Sequence, residues 1–386
     1  MDEKRRIAVV IPKYGLVGGA EGFAAELTGR IASDPRFEVH LFANRWAAAD
    51  DRVAFHQVPV VRFPRFLTTP SFAWFARRRM SAEGPFDVVH THDRIFRADL
   101  VTLHGIPHRR WIRDVRRKKR MSLFDRATAR MEDFLVLRGG CRRFLAVSSL
   151  VRKIFLEEYP VDPGLVTILH PGVDMAPYER LERERCRHEV RNRYGIGLDE
   201  PLILFVSMNF HIKGLDRVLR GLAHLRKGDP GARFRLLVVG RGDENSYGRL
   251  AKELGLGSAV IFAGAVAKEK LPECYLSGDG YAMLSRFDTF GMVVLEAMAA
   301  GLPVLVGGQT GARDLVRDGE NGFVIEDPDD AVSVAGRMRQ MLNGDHPAEM
   351  AMEARRTARE HSWDKVASEV VGIYESIWSD RRLAAS

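Results

Sequence analysis

The sequence predicts a parallel α/β protein of two domains. Three observations lead there. Apolar runs such as Ile7 to Ile11 (IAVVI), Leu202 to Ser207 (LILFVS) and Pro303 to Gly307 (PVLVG) show no polar alternation, which marks strands buried on both faces of a parallel sheet. Several of these runs lead into glycine-containing turns and then helix-forming segments, the order of a βαβ unit. The chain has 386 residues, enough for two such domains with a full core each.

The first half supports this element by element. A charged lead, MDEKRR, enters the strand IAVVI. The loop from Pro12 to Gly22 carries glycines at 15, 18, 19 and 22, the helix Glu21 to Ile31 follows, and Glu38 to Ala43 is the second strand. The spacing GxxGGxxG is not GxGxxG, and the second strand ends in Asn44-Arg45 without an acidic ribose ligand. A nicotinamide-dinucleotide site is therefore not expected. Phe86 to His92 and Val101 to Gly105 are further strands, with histidines at carboxyl ends, where open α/β sheets bind ligands. His90 and His92 alternate along one strand and are expected on opposite faces, so with His104 they form no obvious metal cluster. Phe144 to Ser149 is a strand followed by an N-capped helix, and Val166 to Asp174 closes the first domain. The charged stretch Met175 to Glu200 reads as the inter-domain connection.

The second half repeats the pattern from Pro201 onward. LILFVS leads through MNFHIKG to the helix LDRVLRGLAHL; Phe234 to Asp243 and Ala259 to Val266 are further strands with turns. The most informative stretch is Ser285 to Pro303, SRFDTFGMVVLEAMAAGLP. Phe290-Gly291 turns the chain, Met292 to Ala300 is a helix, and Gly301 and Pro303 stop it. A strand, a tight turn and a helix N-terminus aim free backbone N–H groups at one spot, which makes an anion site. Glu296 sits alone in an apolar helix, where an unpartnered carboxylate is costly. Asp327 to Asp329 mimics a metal-binding DxD, but its place before Ala331 fits a turn and helix cap.

Composition narrows the function classes. Hydrophobic content of 46% is that of a water-soluble globular protein. Cys141, Cys186 and Cys274 are scattered, without zinc or disulfide spacing, which suits a reducing cytoplasm. No stretch approaches the roughly 18 apolar residues of a membrane span. Net charge is +8, and the segment Gly105 to Tyr159, with fifteen basic and six acidic residues, carries all of it. Such a local basic patch points to an anionic partner or surface.

Asp288-x7-Glu296, continued by EAMAAGLPVL and GARDLVRDGENGFVIEDPD, resembles the signature of family 4 glycosyltransferases. The resemblance extends over nearly the whole chain. It implies the GT-B fold, two Rossmann-like domains facing across a cleft: 1–183, joined by a C-terminal crossover helix at 363–380, and 184–362. It further implies transfer of a sugar from a nucleotide-sugar with retention, as in lipopolysaccharide-core glucosyltransferases. By this resemblance Glu296 binds the ribose. The turn Phe290, Gly291, Met292 and Val293 holds the diphosphate and, with Asp288, touches the sugar. Lys213 matches the diphosphate lysine, and Asn209 lies beside it. The backbone at Val266 reads the base. Gly18 and Gly19, in the GGAE loop, lie beneath the phosphates, and His104, in VTLHG, meets the sugar. Two positions depart from the pattern. Asp288 replaces Glu, and Met208 stands where the diphosphate arginine is usual. No cofactor and no metal are expected.

The resemblance implies a UDP-sugar donor and a glycan or lipid-linked acceptor of cell-surface polysaccharide synthesis. The protein is expected in the cytoplasm, peripheral at the membrane's inner face. The segment His108 to Arg120 (HRRWIRDVRRKKR) fits that expectation. A helix there would gather Trp111, Ile112 and Val115 on one side of a cationic surface, suited to anionic lipid. No nucleic-acid recognition fold accompanies this charge. The alternatives are a UDP-sugar 2-epimerase of the same architecture and a catalytically idle nucleotide-sugar binder acting as a membrane scaffold.

Overall fold

A computed structural model describes residues 4–16, 18–343 and 347–385; Met1 to Glu3, at the head of the charged lead, lie outside them. The chain divides into two compact units, 1–172 with 363–386, and 173–362.

Among the described residues the first unit holds a seven-stranded parallel sheet. Its strands are β1 (Arg5–Val10), β2 (Phe37–Ala43), β3 (Val53–Gln57), β4 (Val88–Thr91), β5 (Leu100–Leu103), β6 (Arg143–Ala146) and β7 (Val166–Ile168), in the order β3-β2-β1-β4-β5-β6-β7. Order reverses at β1, which pairs with β2 on one side (Ile7 opposite Val39) and β4 on the other (Ile7 opposite Val88). Loops leaving β1 and β4 therefore flank a topological switch point, where open α/β sheets bind ligands. Ile7, Ala8, Val9 and Val10 are buried, as a central strand without alternation requires.

The C-terminal helix, Trp363–Ala385, belongs to this first unit. It packs on helix Gly19–Ile31 through Trp363 against Phe23, at 5.2 Å between ring centroids, and Asp364 pairs with Arg30 at 2.8 Å.

The second unit has a six-stranded parallel sheet of β8 (Leu202–Ser207), β9 (Arg235–Gly240), β10 (Val260–Gly264), β11 (Gly280–Met283), β12 (Val304–Gly307) and β13 (Gly322–Ile325), in the order β10-β9-β8-β11-β12-β13. Helix Leu215–Gly228 covers it with Leu215, Val218, Leu219, Leu222 and Leu225, all buried, at the three-and-four spacing of a core-facing stripe.

The boundary falls after Gly172, not at 183, and the charged stretch after Met175 is folded structure. It forms helices Ala176–Arg180 and Arg183–Arg193. The reason lies in the buried ends of its cations. Arg183 donates to the carbonyls of Ala300 and Gly278 at 2.9 Å, and the fully buried Arg191 donates to Ser277 O and to Asp279 Oδ2 at 2.6 Å. High charge suggested a solvated linker, but these guanidinium groups satisfy carbonyls and a carboxylate of the second unit. The DPD stretch is a turn: Asp327 Oδ1 accepts from Asp329 N at 3.1 Å, and Asp330 caps the next helix.

Candidate active site

In the second unit, three strand-end loops meet. β8 and β11 are neighbours, so the loops after Ser207 and Met283 lie side by side. Arg286 N donates to Ile212 O at 2.8 Å, and its guanidinium forks onto both oxygens of Asp216 at 2.9 and 2.7 Å. Asp288 N donates to Gln309 O at 2.9 Å, joining the loop after β12. Gly291 adopts φ 98°, and a Cβ there would lie 2.8 Å from Met283 Cε and 3.1 Å from Asp288 Oδ2. Glycine alone fits this turn. It N-caps helix Met292–Ala299, so the first-turn N–H groups of Met292 and Val293 have no helical carbonyl to reach. The positive end of that helix points the same way.

Lys213 and Asp288 form an ion pair at this turn. Both are partly buried, so the pair is less screened than one on the open surface. Glu296 follows one turn into the helix. Tyr275 donates its hydroxyl to Glu296 Oε2 at 2.9 Å. Burial pushes the Glu296 carboxyl above its ordinary value, against the Tyr275 hydrogen bond and the charge of Lys268. Burial also pushes the Tyr275 hydroxyl up, which keeps it a donor. Ser285 Oγ and Thr310 Oγ1, beside the same turn, are buried without a hydrogen-bond partner.

The other expected residues of this unit are spread around that centre. Asn209 is exposed, and its Oδ1 accepts from Ile212 N at 3.0 Å, so its side chain shapes the loop before Lys213. Val266 follows β10, the edge strand two places from β8. Two residues on, the charge of Lys268 acts on Glu296. Phe290 is buried beneath the turn, and Ala312 N donates to its carbonyl at 2.7 Å.

In the first unit, Gly18 N-caps helix Gly19–Ile31, and both glycines are exposed. A Cβ on Gly19 would meet nothing within 4 Å. Packing within the fold does not demand glycine there. His104 follows β5, and its Nε2 lies 2.9 Å from His92 Nδ1. Burial depresses His104 to about 3 and His92 well below the usual imidazole value. The expectation that His90 and His92 face apart is wrong. Their ring centroids are 4.5 Å apart, because β4 ends at Thr91 and strand alternation no longer governs His92. Among the described residues, no group of three or more His, Cys, Asp or Glu side chains has the geometry of a metal site.

The model for glycosyl transferases group 1 matches residues 187–361, and that for glycosyltransferase family 4 matches residues 17–176. The chain belongs to the family 4 glycosyltransferases of GT-B fold. Among curated relatives of this glycosyltransferase is the D-inositol 3-phosphate glycosyltransferase of Acidothermus cellulolyticus, 27% identical over 99% of this chain and 92% of that protein. The enzyme of the same name from Thermomonospora curvata is 32% identical over 61% of this chain and 57% of its own. Among solved structures, WaaG, described as a glycosyltransferase involved in lipopolysaccharide biosynthesis, superposes with a TM-score of 0.77 at 22% identity, over 95% of this chain and 99% of its own. HepE from Anabaena, solved with UDP-glucose, has a TM-score of 0.72 at 16% identity, over 96% of this chain and 99% of its own.

Two residues near these loops were not singled out in the sequence. Tyr275 lies on a different helix from Glu296, and no spacing rule links them. Arg241 was marked by its place in Gly-Arg-Gly at a strand end. Its N–H donates to Ser207 O at 3.0 Å, next to Met208, and its side chain is exposed, without an ion-pair partner among the described residues.

Proposed function

We propose that this glycosyltransferase moves a hexose or related sugar from a UDP-sugar to a glycan or lipid-linked acceptor, with retention and without a metal, in the synthesis of lipopolysaccharide or another cell-surface polysaccharide. The observation that carries the reading is the Gly291 turn, with Lys213, Asp288 and Glu296 gathered around unpaired first-turn amides. A diphosphate fits the amides and Lys213. Its arrival gives Lys213 a new anionic partner and frees the Asp288 carboxylate to accept a sugar hydroxyl. Glu296, held by Tyr275, accepts the ribose hydroxyls. With the positive charge supplied by Lys213 and the helix end, the departing diphosphate is stabilised as charge develops on it. In a front-face route that same diphosphate takes the acceptor's proton. His104 acts at the transferred sugar. HepE, solved with UDP-glucose, supports a UDP donor, and the relatives named for D-inositol 3-phosphate add a phosphorylated polyol to the acceptors worth testing.

An anionic membrane surface is the proposed location, at the cytoplasmic face. The support is a changed version of the expected helix. The helical turns end at Val115, Ile112 is buried, Arg109 pairs with Asp133, Arg110 with Asp114 and Glu157, and Arg113 with Asp114, so no apolar stripe is presented. Arg116 to Arg120 remain exposed, without ion-pair partners among the described residues. Phe63, 89% exposed, and Leu123, 66% exposed, add apolar contact beside Arg62 and Arg65, the latter stacked on Phe124 at 4.7 Å. No described helix is long and apolar enough to cross a membrane.

A thermal-shift panel of UDP, GDP, ADP and their sugars tests the donor. Stabilisation by UDP and its sugars is expected; selective stabilisation by GDP or ADP overturns the UDP assignment. NMR of the product's anomeric configuration tests retention. Conversion of the donor to a 2-epimer in the absence of acceptor would mark an epimerase, and absence of any donor turnover would mark an idle binder.

A further inference from the structure

We infer that His92 is a positioning residue that fixes His104 as the Nδ1–H tautomer, so that His104 meets its substrate as a neutral hydrogen-bond donor and not as a base. The inference rests on the proposed role of His104 at the transferred sugar.

The argument is a count of protons. His92 and His104 follow two adjacent parallel strands, and His92 is anchored by its backbone N–H, which donates to Val10 O at 2.9 Å. Their rings stack at 5.1 Å, with His92 Nδ1 2.9 Å from His104 Nε2. Phe23 closes one side, 6.0 Å from the first ring and 4.9 Å from the second. His90 lies against His92 but has both nitrogens engaged, by Tyr374 Oη at 2.8 Å and Thr102 Oγ1 at 2.7 Å. Among the described residues no carboxylate partner is found for His92 or His104, and burial favours the neutral form of both. Each neutral ring carries one N–H, and the contact between them holds one proton.

Two arrangements satisfy that contact. If His104 donated from Nε2, then His92 would carry its proton on Nε2. That atom is buried with no partner, so a donor would be stranded. Orphaned buried N–H groups are rarer than under-satisfied acceptors. If His92 donates from Nδ1, its Nε2 is a bare lone pair and His104 carries its proton on Nδ1. The second arrangement leaves no stranded donor. The hydrogen bond on one imidazole nitrogen thus sets the chemistry of the other. His104 Nδ1–H can hold a sugar hydroxyl oxygen, and with Nε2 already accepting, the ring has no free lone pair to take a proton.

The test is nitrogen-15 NMR of the histidine-labelled full chain, with the His104 signals assigned by a His104→Gln variant. The expected spectrum has His104 protonated on Nδ1 at neutral pH; protonation on Nε2 overturns the inference. Two variants then separate orientation from packing. In His92→Asn the amide N–H can reach the place of Nδ1–H, whereas His92→Leu fills the space without a donor. His92→Leu is expected to lower kcat about tenfold with KM for the donor little changed, the scale seen when an orienting partner is removed. His92→Asn should recover most of that loss and retain the Nδ1–H signal of His104. Asn as poor as Leu, both folded by thermal shift, refutes the role. Should the protein show no transferase activity while His104 is protonated on Nδ1, the transferase reading fails and the tautomer assignment stands.

Discussion

Replacing Glu296 separates function from stability in opposite directions. The carboxylate accepts one hydrogen bond, from Tyr275 at 2.9 Å, and is otherwise placed to receive ribose hydroxyls. Hydrogen bonds to a charged group are worth about 1.5–3 kcal/mol. Glu296→Ala should therefore raise the Kd for UDP about 10- to 150-fold, measured by isothermal titration calorimetry. The unliganded protein should respond otherwise. Burial raises the Glu296 pKa from its ordinary value of 4.5. The folded state then binds this proton more tightly than the unfolded state does. Stability is lost as pH rises from about 4.5 through the raised value, which is the cost of ionising the buried carboxyl. Glu296→Gln keeps the shape and escapes that cost, so its Tm without UDP at neutral pH should equal or exceed that of the wild type, while its UDP affinity falls. Tyr275→Phe should weaken UDP by a smaller factor, about fivefold for a net 1 kcal/mol bond, and less than additively with Glu296→Gln because the two touch. Unchanged UDP affinity in Glu296→Ala refutes the ribose assignment. A large drop in the Tm of Glu296→Gln refutes the electrostatic reasoning.

The other expectations follow from the same geometry. Turnover should survive EDTA, since Lys213 and the helix end can supply the positive charge a divalent ion would bring; complete loss restored by magnesium or manganese refutes this. His104→Ala should lower kcat by a larger factor than it raises the Kd of UDP, because its contact is assigned to the sugar; a normal kcat removes it from the site. Replacing Arg116, Arg117, Lys118, Lys119 and Arg120 together with Gln should abolish most salt-sensitive co-sedimentation with phosphatidylglycerol or cardiolipin vesicles and leave UDP binding intact, each cation near an anionic bilayer being worth about 1 kcal/mol. A wild-type protein that stays in solution at low salt with such vesicles rules the membrane surface out.

The sequence by itself determined the sheet architecture and the Gly291 turn. Unbroken apolar runs such as LILFVS can only be satisfied with both faces covered, and a turn that admits no Cβ must write itself as glycine. It also singled out Glu296, because a lone acid in VVLEAMAA violates the helix's own pattern. What it could not determine is which side chain meets which. The Tyr275–Glu296 hydrogen bond, the Lys213–Asp288 pair and the His92–His104 contact join separate elements of the fold. Parallel connection places such partners side by side only after the intervening helices have packed. Arg183 and Arg191 misled for the same reason. A charged helix reads as solvated until the carbonyls and the carboxylate that bury it are in place, and those come from residues near Ser277, Asp279 and Ala300. His92 was assigned to the wrong face because strand alternation ends where the strand does, and the pairing of β4 with its neighbours sets that end at Thr91. Local chemistry is written in the order of residues; contacts across the sheet are decided by packing.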